Sequence, residues 1–356
     1  MERAKSLKSG LSKPIPTPTT GGGGDKKGSD DKKDEDKLTG AISQAIITEK
    51  PNVKWDDVCG LVAAKDALKE AVILPSKFPQ FYTEKIKPWR GILLYGPPGT
   101  GKSFLAKATA TECNSMFFSV SSSDLVSKWL GESEKLVKTL FDMARKNKPS
   151  IVFIDEIDSL CGRRKEDEND STRRIKTEFL VQLQGVGTDM DKVLVLGATN
   201  TPWELDPAVR RRFEKRIYIS LPEKEARKLM FIKNVGNEAH DLTDQDFDLL
   251  AEKTEGYSGS DVAAMTKEAL MQPIKKCQHA KKFKLCPDGF YYPTTPSDPD
   301  GVSMTLYECK TPEKVRKPRV DMGDFMQALT LCKKTVGTKD LKAQEDWTKE
   351  FGSEGS

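Results

Sequence analysis

At about 150 residues per domain, the 356-residue chain is long enough for two domains with extensions, and long enough to need no disulfide or metal staple. Lys and Arg total 58 against 54 Asp and Glu, a formal charge of +4 that is too small over this length to argue for a nucleic-acid partner. Apolar runs are short, Ile151–Ile154 and Val193–Leu196 being typical, where a membrane span needs about 20 residues, and the N-terminus has no secretory apolar region; neither a lumenal nor an integral membrane protein is expected.

Residues 1–37 read as a flexible linker: Pro14, Pro16 and Pro18 are followed by Gly21–Gly24 and a mixed charge run from Asp25 to Lys37. Ahead of it, Glu2–Lys8 looks like the tail of a helix. From Trp55 the pattern becomes globular. Ala63, Ala64, Ala67, Leu68, Ala71 and Val72 recur at helical spacing, and Pro75 is expected to end that helix. Apolar runs follow at Ile92–Tyr95, Met116–Val120, Ile151–Ile154, Val193–Leu196 and Ile217–Ile219, alternating with helical patterns around Phe104–Glu112, Glu132–Arg145 and Thr172–Leu183. That alternation predicts an α/β domain over 38–222, a parallel five-stranded sheet covered on both faces.

Beyond Pro222 the pattern is helical, with helices predicted over Glu223–Asn234, Asp244–Lys253, Ser258–Met271 and Asp321–Lys334, so 223–356 reads as a smaller helical domain. Within it, Cys286–Pro318 is rich in proline and carries the strand-like runs Phe290–Tyr292 and Val302–Tyr307, which predict a small antiparallel insertion. Seven scattered cysteines with no Cys-x-x-Cys pair, and only His240 and His279 beside them, read as reduced thiols. Cys59, Cys113 and Cys161 are expected to act as small apolar fillers.

Gly96-Pro97-Pro98-Gly99-Thr100-Gly101-Lys102-Ser103 fits G-x-x-x-x-G-K-[ST] between a predicted strand and a predicted helix. Backbone N–H groups of such a loop ring phosphates, Lys102 would reach the β- and γ-phosphates, and the Ser103 hydroxyl would ligate Mg²⁺. The next strand but one ends in Asp155-Glu156. Asp155 is suited to holding Mg²⁺ and Glu156 to polarising an attacking water. Asn200 closes the run Val193–Ala198 at the carboxyl edge of the sheet, where it could orient that water or form an ordinary turn. Arg210-Arg211-Arg212 admit two readings, a solvated basic turn or arginine fingers offered to a neighbour's γ-phosphate.

With these motifs, and with Glu49–Trp55, Lys69–Pro75, Ser119–Glu134, Arg173–Glu178, Gly256–Asp261, Ala269–Ile274 and the ending Asp346–Gly355, the chain from about residue 50 resembles an AAA ATPase. The likeness is to the vacuolar protein sorting branch that disassembles ESCRT-III polymers. It implies an ATP- and Mg²⁺-dependent homohexamer that threads protein through a central pore in endosomal and multivesicular-body sorting and membrane scission. By that likeness Lys128, Trp129 and Leu130 form the first pore loop, and Gly162–Glu166 resembles the second. Arg211 and Arg212 match paired trans-acting fingers; Asp57, Gly60, Gly259 and Ser260 lie in segments that bracket the adenine. Residues 286–318 match a β insertion that binds an activator of the Vta/LIP type, here shorter and divergent between Pro287 and Pro299. A terminal helix is implied over 339–351.

That branch begins with a three-helix MIT domain that captures ESCRT-III tails; here only 1–11 resembles its last helix, which implies ATPase and pore function with impaired recruitment. The expected localisation is cytoplasmic, with transient endosomal attachment through the polymer and no direct membrane insertion. The alternative is a microtubule-severing relative of the katanin or spastin type, against which the insertion argues.

Overall fold

The structure is a computed structural model that describes residues 47–352 except 84, 123–132, 163–169, 185–191 and 310, all within the unit Ile42–Ser356. The linker expected over 1–37, the pore residues Lys128, Trp129 and Leu130, and most of the second pore loop lie outside the described residues.

The first half runs β1 (Ile47–Glu49), α1 (Val62–Leu68), α2 (Leu74–Lys77), β2 (Gly91–Tyr95), α3 (Lys102–Glu112), β3 (Met116–Ser121), α4 (Ser133–Lys146) and β4 (Ser150–Asp155). It continues through α5 (Ile157–Cys161), α6 (Asp170–Gln184), β5 (Val193–Thr199), α7 (Pro207–Arg212) and β6 (Lys215–Tyr218). The strand order is β1-β3-β4-β5-β2-β6. The five expected strands are all parallel. A sixth, β1, pairs antiparallel on β3 with Thr48 opposite Phe118, an addition too short to leave a periodic trace in the sequence.

β2 and β5 are buried along their whole length, as strands covered on both faces must be. On one face Phe117 stacks on Phe153 at 5.8 Å, and both join Leu68 of α1 and Leu105 of α3 in one core. Phe141 of α4 and Phe179 of α6, ring centroids 6.0 Å apart, are also fully buried. Cys59 and Cys161 are buried fillers as expected, whereas Cys113 is only half-buried. Pro75 does not end the first helix. A π turn over Lys69–Ile73 shifts the hydrogen-bonding register, and the proline falls in the first turn of α2, where its missing N–H costs no helical bond.

The second half holds α8 (Lys224–Val235), α9 (Asp244–Lys253), α10 (Gly259–His279), β7 (Lys282–Leu285), β8 (Tyr291–Thr294), β9 (Val302–Ser303), α11 (Met322–Leu331) and α12 (Thr338–Phe351). Three helices start on reciprocal caps of the same form: Thr243 with Asp246, Ser258 with Asp261, and Asp321 with Asp324. Their apolar faces make a second core around Phe231, Leu250, Val262, Met265 and Phe325.

Two expectations are corrected here. The helix expected to stop at Met271 carries Pro273 inside it and runs on to His279. The insertion is a three-stranded antiparallel sheet, order β8-β7-β9, whose first strand starts at Lys282, ahead of the expected boundary at 286. Leu306–Glu308, read as strand, is a 3₁₀ turn.

α12 leaves the helical core and lies against the sheet domain. Trp347 meets Tyr95 edge-on at 4.5 Å, and the Tyr95 hydroxyl donates to Thr348 Oγ1 at 3.0 Å.

Candidate active site

The register of the sheet brings three strand ends together: Tyr95 pairs with Thr199, and Ile154 pairs with Gly197. The segments leaving these strands therefore share one edge, the carboxyl edge where open α/β sheets bind ligands. Gly96–Gly101 leave β2, Glu156 leaves β4 and Asn200 leaves β5.

The loop is held tight by its own atoms. Gly96 has φ +149°, and a side chain there would strike the Ile219 carbonyl. Gly99, at φ +74°, faces Ser258 and Ser260 at the start of α10, and the Ser260 N–H donates to the Gly99 carbonyl at 3.1 Å. The Thr100 hydroxyl donates to Pro97 O at 3.0 Å. Lys102, buried at the first position of α3, turns back over the loop and donates to Gly96 O at 2.9 Å and Pro97 O at 2.8 Å. Burial pushes its amine down to about 8, while the carboxylates of Asp155 and Asp158 pull the other way. The result is a cation caged among carbonyls inside a ring of backbone amides, a site built for a polyphosphate.

Next along α3, the Ser103 hydroxyl donates to Asp155 Oδ2 at 2.7 Å, and Asp155 Oδ1 accepts from the Glu156 N–H at 3.0 Å. Glu156 itself has φ +50°, a left-handed conformation for a non-glycine residue, and it is exposed at the head of α5. Such a backbone costs on the order of 1 kcal/mol or more. It ends β4 abruptly and leaves the glutamate carboxylate in solvent at the strand edge.

Asn200 is half-buried. Its neighbour Thr199 donates through Oγ1 to Asp158 Oδ1 at 2.6 Å, and its own carbonyl accepts from Gln344 Nε2 at 2.6 Å. Neither Asp158 nor Gln344 is among the residues the sequence motifs point to. Asp158 has a signal that could find it, three residues after Asp155. Gln344 carries no local signal.

α7 presents the three arginines. Asp206 caps it by accepting from Ala208 N at 2.7 Å, and Pro207 sets its first turn. The triplet is not equivalent: Arg210 lies over the Phe351 ring, whereas Arg211 and Arg212 are exposed. Arg212 meets the Gln184 side-chain amide, whose oxygen accepts from Nε at 2.7 Å.

Of the segments expected to bracket a base, Gly259 and Ser260 touch the loop directly. Gly60 packs on Ala226 of α8, and Lys233 of α8 donates to the Asp56 carbonyl. The Asp57 carboxylate is occupied locally, accepting from Lys54 N at 2.8 Å to cap its own turn. The structure thus gathers Gly96–Ser103, Asp155, Glu156, Asn200, Gly259 and Ser260 on one edge.

Known proteins share this arrangement. The model of the ATPase family associated with various cellular activities (AAA) matches residues 92–221, that of the AAA+ lid domain residues 244–284, and that of the Vps4 C terminal oligomerisation domain residues 291–352. Vacuolar protein sorting-associated protein 4B of Mus musculus is 53% identical over 380 residues, spanning 100% of this chain and 85% of its own length. Protein SUPPRESSOR OF K(+) TRANSPORT GROWTH DEFECT 1 of Arabidopsis thaliana is 55% identical over 347 residues, 96% of this chain and 79% of that one. Among solved structures, the FIGL-1 AAA domain in complex with ADP superposes with a TM-score of 0.73 at 40% identity, over 90% of this chain and 98% of that chain.

Proposed function

The chain belongs to the vacuolar protein sorting 4 group of AAA ATPases, proteins that bind and hydrolyse ATP and self-assemble, and from that premise we propose that it works as a homohexamer that draws ESCRT-III subunits out of their polymers. The observation that carries the branch is the match to the Vps4 oligomerisation domain, which starts inside the insertion at residue 291 and runs through α12. The microtubule-severing alternative has no such support from the insertion.

In the hydrolytic site, the loop amides and the Lys102 ammonium hold the phosphates. The residues suit Mg²⁺: Ser103 Oγ and Asp155 Oδ2 are hard oxygen donors already 2.7 Å apart. When bound, such an ion neutralises phosphate charge. Glu156 orients a water and takes its proton; Asn200 holds that water in line. Arg211 and Arg212 of the neighbouring subunit stabilise charge on the transferring group. Asp57, Gly60, Gly259 and Ser260 enclose the base, so the lid helices and the loop close on one nucleotide.

Lys128, Trp129 and Leu130 grip the substrate, an aromatic being able to hold extended peptide of any sequence. The insertion takes an activator of the Vta/LIP type. We draw the domain junction between 222 and 223. The protein acts in the cytoplasm and meets endosomal membranes through the polymer; among the described residues no helix is long and apolar enough to cross a membrane.

The test is a trap. Glu156→Gln introduced at the native locus should bind ATP without turnover, and the locked assembly should retain its substrate. Recovery of ESCRT-III subunits supports the proposal. Recovery of tubulin instead overturns it in favour of severing.

A further inference from the structure

Gln344 sits on α12 and is 1% exposed. Its Nε2 donates to the Asn200 carbonyl at 2.6 Å, across 144 residues of chain, while its Oε1 is buried without a hydrogen-bond partner. A buried amide oxygen with nothing to accept from lowers stability, so an apolar side chain of similar volume would be favoured there if holding α12 in place were the whole purpose. Docking has other sources. Trp347 is buried against Tyr95, Thr348 accepts from the Tyr95 hydroxyl, and Phe351 lies under Arg210.

The donor of Gln344 falls on the peptide of Asn200. On the other flank, Thr199 is tied at 2.6 Å to Asp158, which stands on α5 two residues after Glu156. The Thr199–Asn200 step is therefore held from both sides, by the helix that begins at Glu156 and by the last helix of the chain. We propose that Gln344 is a positioning residue of the ATPase site: it fixes the Asn200 backbone relative to Glu156, so that turnover requires α12 to be docked with this amide in place. The inference rests on the reading of Asn200 as a water-orienting residue.

The experiment uses the full chain with Gln344→Met, which keeps the volume and removes the donor. The melting temperature should be equal or higher, ADP affinity should change less than about twofold, and the native mass of the ATP-bound ring in a Glu156→Gln background should not change. kcat should fall roughly tenfold to a hundredfold, the loss expected from small misplacement of a water-orienting group, with KM little altered. In nucleotide-free protein, hydrogen exchange in peptides covering Val193–Glu204 should accelerate. Gln344→Glu should behave like Gln344→Met at neutral pH and regain activity relative to wild type as the pH falls, because a protonated carboxyl can donate to the Asn200 carbonyl.

Unchanged kcat and exchange in Gln344→Met, with Asn200→Ala inactive, overturns the inference and leaves the reading of Asn200 standing. A lowered melting temperature with loss of the ring also overturns it, because Gln344 is then only a support for α12. Full turnover in Asn200→Ala overturns the reading and the inference together.

Discussion

The guanidinium of Arg210 lies 3.8 Å from the centroid of the Phe351 ring. This contact divides three adjacent arginines into one that faces inward, fastening the final helix to α7, and two that remain exposed for a neighbour. Arg211→Ala should therefore reduce ATP turnover by about 10³ or more while leaving ATP binding intact. Arg210→Ala should instead cost on the order of 1 kcal/mol of stability, the worth of one cation–π contact. Mixing Arg211→Ala with Lys102→Ala subunits should restore part of the rate, since each supplies what the other lacks. Absence of complementation would show that the arginine acts within its own subunit.

Nucleotide affinity should depend on pH through Lys102. Its amine is depressed to about 8 by burial, so above that pH the free protein carries a growing neutral fraction, and phosphate binding must return the proton. ADP affinity, measured with a chelator and no divalent cation, should be flat below about pH 7 and weaken by up to tenfold per unit above about pH 8. Calorimetry in buffers of different ionisation heat should register proton uptake there. A flat profile to about pH 9.5 would show that the amine stays charged within its cage.

Gly99→Ala should weaken the junction between loop and lid. A Cβ at this residue would stand 2.8 Å from Ser258 Oγ and 2.9 Å from Ser260 Cβ, on a backbone with φ +74°. The expected cost is about 1–3 kcal/mol in urea unfolding, with a further loss of ADP affinity. An unchanged midpoint would mean that α10 moves away freely.

Trp129→Ala should leave basal ATP hydrolysis near the wild-type rate and abolish release of subunits from ESCRT-III polymers, followed by sedimentation. Retained disassembly would remove Trp129 from the proposed pore.

The features legible in the sequence are the contiguous ones. Gly96–Ser103 and Asp155-Glu156 are single runs whose chemistry is local, and each parallel strand is a short apolar block, so the sheet and its loaded edge can be read directly. Three kinds of feature cannot. β1 has three residues, too few to show alternation. Pro75 and Pro273 look like helix ends, and only the structure reveals the π turn and the continuous buried helix that absorb them. Gln344 and Phe351 act on residues about 140 positions earlier, so nothing beside them hints at a partner. The apparent equivalence of Arg210, Arg211 and Arg212 fails for that reason.

The 21 residues of α10 form a rod about 30 Å long. Its leading end leans on the phosphate loop through Ser260 and Gly99, and its far end is riveted by Lys276 to Asp321 and Asp324 before the chain enters the small sheet at Lys282. A rod pivoting at one end magnifies displacement at the other: a tilt of about 10° at the loop sweeps the far tip through about 5 Å. Whatever settles on the small sheet and whatever fills the loop thus share one lever arm, and each must shift the other's affinity by the same factor.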